Sequence, residues 1–282
     1  MYKSLLVLAA LSGVAHAGSL TTTVYTASPS GFLVDSTLVA GDKEAILVDA
    51  QFDLADAHRL AAQILESKKT LTTIFVSHGH PDHYFGAVVL AQAFPKAKLV
   101  ALPATVAEIK KTWKAKVSQW RGMYGDLVPQ APVLPTPLAG TTLTLEGKTL
   151  ELHGGVQGDS ADNAYVWIPS IKTVIAGDIV YRGVHPWTAE TDAAKRRAWL
   201  RTLDQLAALG ATTVIAGHKD PKLPDDAAGI AQTRQYLEAF DAAVAASRSS
   251  AEVQQKLKAK FPELQLDVIL QLGADAQFKT SP

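Results

Sequence analysis

The sequence predicts an α/β protein in which two β-sheets form a sandwich with helices on its outer sides. Strand-like and helix-like patterns alternate through the first half of the chain, and after a proline-rich interruption at residues 128–138 the alternation recurs in outline. Each half thus supplies a sheet plus helices, and stacking the halves buries the apolar faces. The chain has 282 residues, 48% of them hydrophobic, enough to bury a full core as one large domain or two small ones.

Taken in order, residues 20–50 interleave turn signals (SPSG, AGDKE) with apolar and β-branched runs (FLVDSTLVA, AILVDA), the pattern of short antiparallel strands. DLADAHRLAAQILES places Leu54, Ala57, Leu60, Ala61, Ile64 and Leu65 on one helical face. TLTTIFVS reads as a buried strand, residues 84–94 as a helix and AKLVALP as another strand. VPQAPVLPTPL, residues 128–138, holds four prolines and no sustained period, so an irregular connection is expected. Beyond it, TLTLEGKTLELHG reads as a hairpin turning at Glu146-Gly147, and NAYVWIPSIKTVIAGD as two strands around Pro169-Ser170. AAKRRAWLRTLDQLAALG is a helix ending at Gly210, and TTVIAGH a further buried strand. From about residue 227 to 261, Ile230, Tyr236, Leu237, Phe240 and Val244 form the apolar stripe of one or two amphipathic helices.

Lys plus Arg and Asp plus Glu both total 27, which leaves no net field to gather nucleic acid or an anionic membrane surface. Nucleic acid is therefore excluded as a partner. The opening MYKSLLVLAALSGVAHAGS sets Lys3 before an apolar run at residues 5–14 and ends in Ala15-His16-Ala17, the A-x-A pattern of a secretory signal peptide. Cleavage after Ala17 is expected, with residues 18–282 forming a single exported domain, periplasmic or secreted. The apolar run is too short to serve as a stable membrane anchor. Without cysteine there is no disulfide and no thiolate ligand, so a metal would have to sit on His, Asp and Glu.

One stretch concentrates such groups. VSHGHPDHYFGA, residues 76–87, packs three of the chain's eight histidines and one aspartate between His78 and His83. That density marks a metal site rather than solvated loop histidines. A strand runs straight into the cluster, which places it on a loop presented by rigid scaffold. In extended chain His78 and His80 point to the same side and reach one ion, whereas Asp82 and His83 begin the next turn and face a neighbouring point. Far along the chain, TVIAGD and TVIAGH close two apolar strand runs at Asp178 and His218, which can converge on the same sheet edge.

HGHPDH following a strand resembles the H-x-H-x-D-H motif of the metallo-β-lactamase superfamily, and the likeness extends through AGD at residues 176–178 and AGH at residues 216–218. The resemblance implies an αββα four-layer sandwich and two divalent metal ions, Zn²⁺ in the first place, with Fe or Mn as alternatives. By position it makes His78 and His80 ligands of the first ion, Asp82, His83 and His218 ligands of the second, and Asp178 the bridging carboxylate. Where the family has a third first-site histidine, this chain reads GDSADN at residues 158–163, so Asp159 replaces it. Two alternatives stand beside that reading: His153 swings in, or the first site is weak or empty. Asp159 is preferred because Ser160, Asp162 and Asn163 keep the register. Carboxylates Asp82, Asp159 and Asp178 plus one hydroxide would neutralise two dications, where histidine would leave one positive charge. The ions become weaker electrophiles, and preference moves from Zn²⁺ a little toward Fe or Mn.

The resemblance further implies an exported hydrolase in which a metal-bound hydroxide, oriented by Asp82, opens a small cyclic or activated amide or ester of the lactam, lactone or thioester class. B1-type β-lactamases have Cys at the bridging position and Lys three residues on; Asp178 and Tyr181 here point instead to hydrolases of the wider superfamily. Tyr181, His185 and Trp187 either wall the substrate pocket or form an ordinary aromatic loop. Trp113, Trp120, Met123 and Tyr124 supply a second wall or the stripe of an amphipathic helix. His58 lies within a helix pattern and has no assigned role. The competing reading is a metal- or ligand-binding protein of the same fold with lost or weak hydrolysis.

Overall fold

The computed structural model describes residues 18–278; the expected signal segment at residues 1–17 lies outside the described residues. The first half builds a six-stranded sheet ordered by sequence, with β1 (Thr21–Thr26), β2 (Asp35–Ala40) and β3 (Glu44–Val48) antiparallel. Strands β4 (Thr70–Val76), β5 (Lys98–Ala101) and β6 (Thr136–Pro137) continue it in parallel. Parallel pairing needs crossovers, which α1 (Leu54–Glu66), α2 (Ala87–Ala93) and α3 (Pro103–Tyr124) provide. Asp53 caps α1, its side chain accepting from the Asp56 amide at 2.7 Å.

The second half forms a five-stranded sheet, from β7 (Thr142–Leu145) through β8 (Lys148–Val156), β9 (Asn163–Ile168) and β10 (Thr173–Ile175) to β12 (Thr213–Ile215). A short parallel pair, β11 (Tyr181–Arg182) and β13 (His218–Lys219), follows the ends of β10 and β12. The hairpin joining β7 to β8 turns at Glu146 and Gly147, both at positive φ (47° and 78°), as a two-residue connection requires. Helices α4 (Ala193–Ala208), α5 (Ala228–Ala245), α6 (Ser250–Lys260) and α7 (Asp267–Phe278) complete the chain.

Strand alternation sorts side chains between layers. On β3, Ile46 and Val48 enter the core between the sheets with Leu152, Val166 and Ile215, while Ala45 and Leu47 pack outward against Leu60 and Ile64 of α1. On the other sheet, Ile175 turns inward and Val174 outward, toward Trp199 and Leu203 of α4 and Leu237 of α5. The layers therefore run helix, sheet, sheet, helix, the expected four-layer α/β sandwich. Among the described residues no helix is long and apolar enough to cross a membrane.

Two elements depart from the sequence reading, and one open alternative is resolved. Within the proline-rich connection, Thr136 and Pro137 pair with β5 as the edge strand β6; at an edge the missing proline N–H deprives no further strand. The segment at residues 227–261 is two helices, because Ser249 opens α6 by accepting from the Glu252 amide while the Glu252 carboxylate takes the Arg248 amide. Helix α7 lies beyond the elements that the sequence pattern predicts. Its Gly273 lies against Thr188, whose Oγ1 would stand 2.3 Å from an added Cβ, so α7 approaches that loop closely.

Candidate metal centre

Three strand ends meet at one edge of the sandwich. Strand β4 runs into His78, and a 3-10 turn, Pro81–His83, presents Asp82 and His83. Strand β10 leads to Asp178 and β12 to His218; the parallel register Thr173↔Thr213, Val174↔Val214, Ile175↔Ile215 carries both to the same level. Tyr181 pairs with His218 across β11 and β13, their rings stacked at 5.2 Å. Gly217 permits this convergence, since a Cβ there would lie 2.1 Å from Asp178 Oδ1 and 2.7 Å from the Gly177 carbonyl.

The convergence produces two groups that share Asp178: His78, His80, Asp159 and Asp178, and Asp82, His83, Asp178 and His218, with the ligand atoms of each within 4.8 Å of one another. Tetrahedral ligands about 2.1 Å from an ion stand about 3.4 Å apart. The facing pairs bracket that figure: His80 Nδ1 to Asp159 at 2.8 Å, His78 Nε2 to Asp178 at 3.7 Å, His83 Nε2 to Asp178 at 3.1 Å, and His218 Nε2 to Asp82 and Asp178 at 3.2 Å each.

Each imidazole is held from outside by its other nitrogen. His83 Nδ1 donates to Asp49 at 2.8 Å, and His218 Nδ1 to the Phe32 carbonyl at 2.7 Å. Ser77 donates its hydroxyl to Asp49 and receives His78 Nδ1 at 3.1 Å. His80 Nε2 donates to Glu190 at 3.0 Å. These partners fix the tautomers so that the inner nitrogens face the two shared points. His78 Nε2, His83 Nε2 and Asp178 Oδ1 are buried there without any aligned hydrogen-bond partner. Buried polar atoms left so are costly unless something binds them, and imidazoles and carboxylates converging on one point are suited to a divalent cation. The donor set fits.

Electrostatics of the bare protein agree. Burial drives the Asp178 carboxyl upward, but the His218, His83 and His78 rings outweigh it and hold it well below the carboxylate range. Burial likewise disfavours charge on His218, yet Asp178 and Asp82 raise it to about 10. His78 is pushed down by burial and by the neighbouring His83. Protons on His80, His83 and His218 thus occupy the positive role that bound cations would take over, with proton release on binding.

Asp159 is fully buried, and Asn163 donates to its Oδ1 at 3.1 Å, while the Tyr181 hydroxyl lies 3.4 Å from Oδ2. Burial, aided by Asp178, pushes its carboxyl up to about 6 against the opposing pull of His80. His153 belongs to neither group: it stacks on Tyr165 at 4.7 Å and faces Glu151 on the exposed side of β8.

A cleft of about 160 Å³ opens on the cluster. Tyr181, His185 and Trp187 line it, as does Trp120, while Trp113, Met123 and Tyr124 do not. Lys116 and Trp120, one turn apart on α3, face the cleft; Tyr124, a further turn along the same face, packs against Phe52 at 5.0 Å instead, and Met123 is 63% exposed. Of the outer partners, Asp49 had a readable signal, an aspartate ending an apolar strand run, and it sits at φ 64°. Glu190, distant in sequence and on a loop, had none.

The sequence profile of the Metallo-beta-lactamase superfamily matches residues 29–218. A solved structure of a metallo-beta-lactamase family protein from Thermus thermophilus is similar with a TM-score of 0.65 and 22% identity, covering 92% of this chain and 91% of its own. A metallo-beta-lactamase from Pontibacter korlensis aligns with a TM-score of 0.57 and 20% identity over 78% of this chain and 95% of its own. The DIM-1 metallo-beta-lactamase does so with a TM-score of 0.57 and 21% identity over 78% of this chain and 93% of its own. At such identities the likeness concerns the fold. No curated protein matches the chain.

Proposed function

The chain belongs to the metallo-beta-lactamase superfamily, and from that premise we propose that it is an exported metal-dependent hydrolase acting on a small cyclic or activated amide or ester, of the lactam, lactone or thioester class. The observation that supports this most is the pair of His/Asp groups sharing Asp178, with every imidazole fixed from outside and its inner nitrogen turned to a common point. His78, His80 and Asp159 would hold one ion, Asp82, His83 and His218 the other, and Asp178 both. Zinc suits the imidazoles, with iron or manganese as alternatives given three carboxylates. When bound, such ions supply Lewis acidity toward a carbonyl oxygen and a water acidified enough to attack at neutral pH.

The chain's own groups do the rest. Asp82 is the most open of the three carboxylates, its side chain 15% exposed, so it is the one that meets entering water and orients it. Tyr181 donates its hydroxyl to Asp178 at 2.8 Å, and burial beside Asp159 and Asp178 keeps it protonated. It therefore holds a proton at its oxygen beside the reacting centre. His185, lowered to about 4 by burial, stays neutral at the cleft wall.

Asp159 favours a second reading, a metal-binding protein with weak hydrolysis, because an extra carboxylate blunts the electrophilicity of both ions. Elemental analysis combined with turnover of a lactam, lactone, thioester and phosphodiester panel separates the two. Chelator-sensitive turnover abolished in Asp178→Ala supports the hydrolase; full metal loading with no turnover of any class rejects it.

A further inference from the structure

The walls of the cleft carry information about the substrate that the metal groups do not. Beyond the carboxylates its lining is mainly apolar: Phe32, Phe52 and Trp120 on one side, Trp187, Leu266 and Ile269 on the other. The aromatic side is preformed, with Phe32 and Phe52 at 5.2 Å, Phe52 edge-on to Trp120 at 5.1 Å, and Phe32 to Trp120 at 5.5 Å. Phe32 is tied to the reacting edge, since its carbonyl accepts from His218 Nδ1. The opposite side is carried by α7, seated against the Thr188 loop through Gly273.

Away from the metal groups the cleft carries little charge. Besides the imidazoles, the only cationic side chain in the lining among the described residues is Lys116, and its Nζ donates to the Gly79 carbonyl at 2.8 Å. Asp82, Asp159 and Asp178 would be offset by the ions they hold, which leaves Glu190 as the other charged group of the wall. An anionic substituent on a substrate would meet Glu190 and lose its hydration against apolar walls, while the Lys116 ammonium is already bonded to the Gly79 carbonyl. On α7, Val268 and Leu272, 49% and 38% exposed, neighbour Ile269, so apolar side chains are also exposed beside that wall.

Building on the hydrolase reading, we infer that the site takes uncharged substrates whose reacting carbonyl bears an apolar chain, seated between the Phe32-Phe52-Trp120 wall and Leu266-Ile269. The chain is desolvated by the cleft while its carbonyl meets the metal groups, and polar or carboxylate-bearing acyl groups are disfavoured.

The zinc-loaded protein is assayed on p-nitrophenyl esters from acetate through butyrate and hexanoate to octanoate. The expected kcat/KM rises about three- to fourfold per buried methylene, and an ester of equal length ending in a carboxylate is turned over at least about tenfold more slowly. Trp120→Ala and Ile269→Asn, from opposite walls, lower the octanoate-to-acetate ratio; misfolding would depress both esters alike. A second arm titrates hexanamide and octanamide against the same protein by tryptophan fluorescence, where the longer amide binds more tightly and Trp120→Ala or Ile269→Asn narrows the difference. Chain-length-dependent amide binding without turnover of these esters or of any lactam, lactone, thioester or phosphodiester leaves the apolar subsite standing and removes the hydrolase. Turnover that is flat along the ester series, or faster for the carboxylate-tipped ester, overturns the inference while the hydrolase survives.

Discussion

Glu190 accepts a hydrogen bond from His80 Nε2 at 3.0 Å, and this contact turns the imidazole so that Nδ1 faces Asp159 at 2.8 Å. The two residues are 110 positions apart, yet one sets the tautomer of the other. Burial works against charge on Glu190, but the bond and the charge of His80 bring its carboxyl down to about 2, so it is ionised throughout the working range. Glu190→Ala is expected to weaken the first ion's affinity about 10- to 100-fold while leaving the second nearly unchanged. Competition with a chromogenic chelator measures the affinity, and the Co²⁺ absorption spectrum reports the altered geometry; equal affinity in both proteins would remove Glu190 from this role.

Asp159 offers a sharper contrast. Its carboxylate completes the first group where the family has histidine, and Asn163 and Tyr181 steady it. Asp159→His should retain or raise zinc affinity and increase turnover, because the inner charge rises by one unit and the ions become stronger electrophiles. Asp159→Ala should lose the first ion, with affinity down more than about 100-fold. Metal stoichiometry at graded free zinc distinguishes these outcomes, and identical loading of Asp159→Ala and the parent would place the residue outside the site.

Gly217→Ala tests the convergence of the strand ends. The added Cβ meets the Gly177 backbone at 2.6 Å as well as Asp178 Oδ1, so the clash cannot be relieved by rotating one flexible side chain. Either β13 or Asp178 must shift, and both groups lose their shared ligand. The expected result is less than one tightly bound metal per chain and turnover down more than about 100-fold, against a stability loss of only about 1–3 kcal/mol. Metal content and a urea midpoint on the same preparation check the two halves of this statement.

Much of this centre was legible because its groups end regular elements. TVIAGD and TVIAGH are the same strand written twice, and their parallel register brings Asp178 and His218 together just as the repeated sequence suggests. HGHPDH is local, so its spacing alone distributes His78 and His80 to one point and Asp82 and His83 to the other. What escaped was everything fixed by packing between distant segments. Glu190 reaches His80 from a loop, and the Phe32 carbonyl that holds His218 is a backbone atom with no sequence signature. Asp49, which takes both His83 and Ser77, carries the signal of an aspartate ending an apolar strand run, but nothing in the sequence pairs it with His83. Helix α7 escaped because Gly273 interrupts its apolar pattern, and that glycine is what lets the helix close the cleft. Counting Glu190 and Asp49 also changes the charge arithmetic, since both add negative charge just outside the three carboxylates. The electrophilicity of ions held there would thus be lower than the converging His and Asp groups alone imply.

His185 links the cleft wall to pH. It is buried, its Nδ1 3.2 Å from the Tyr236 hydroxyl and its Nε2 3.6 Å from Asp267. Burial lowers it from 6.5 to about 4, with Asp267 offsetting only part of the effect. Above pH 6.5 the ring is neutral in both the folded and unfolded chain and costs nothing. Between pH 6.5 and 4 the unfolded chain binds a proton that the folded one does not, so stability falls as pH falls. At about 1.36 kcal/mol per pKa unit the loss approaches about 3 kcal/mol by pH 4. His185→Gln removes this titration but not those of the metal ligands, so the informative quantity is the stability difference between the two chelator-treated proteins across pH. Urea denaturation from about pH 7 to 4 should show His185→Gln gaining on the parent by up to about 3 kcal/mol, with the gain confined to the window below 6.5. A constant difference across that window would mean that the folded protein protonates His185 as readily as the unfolded chain, and that the ring is not held neutral beside the substrate.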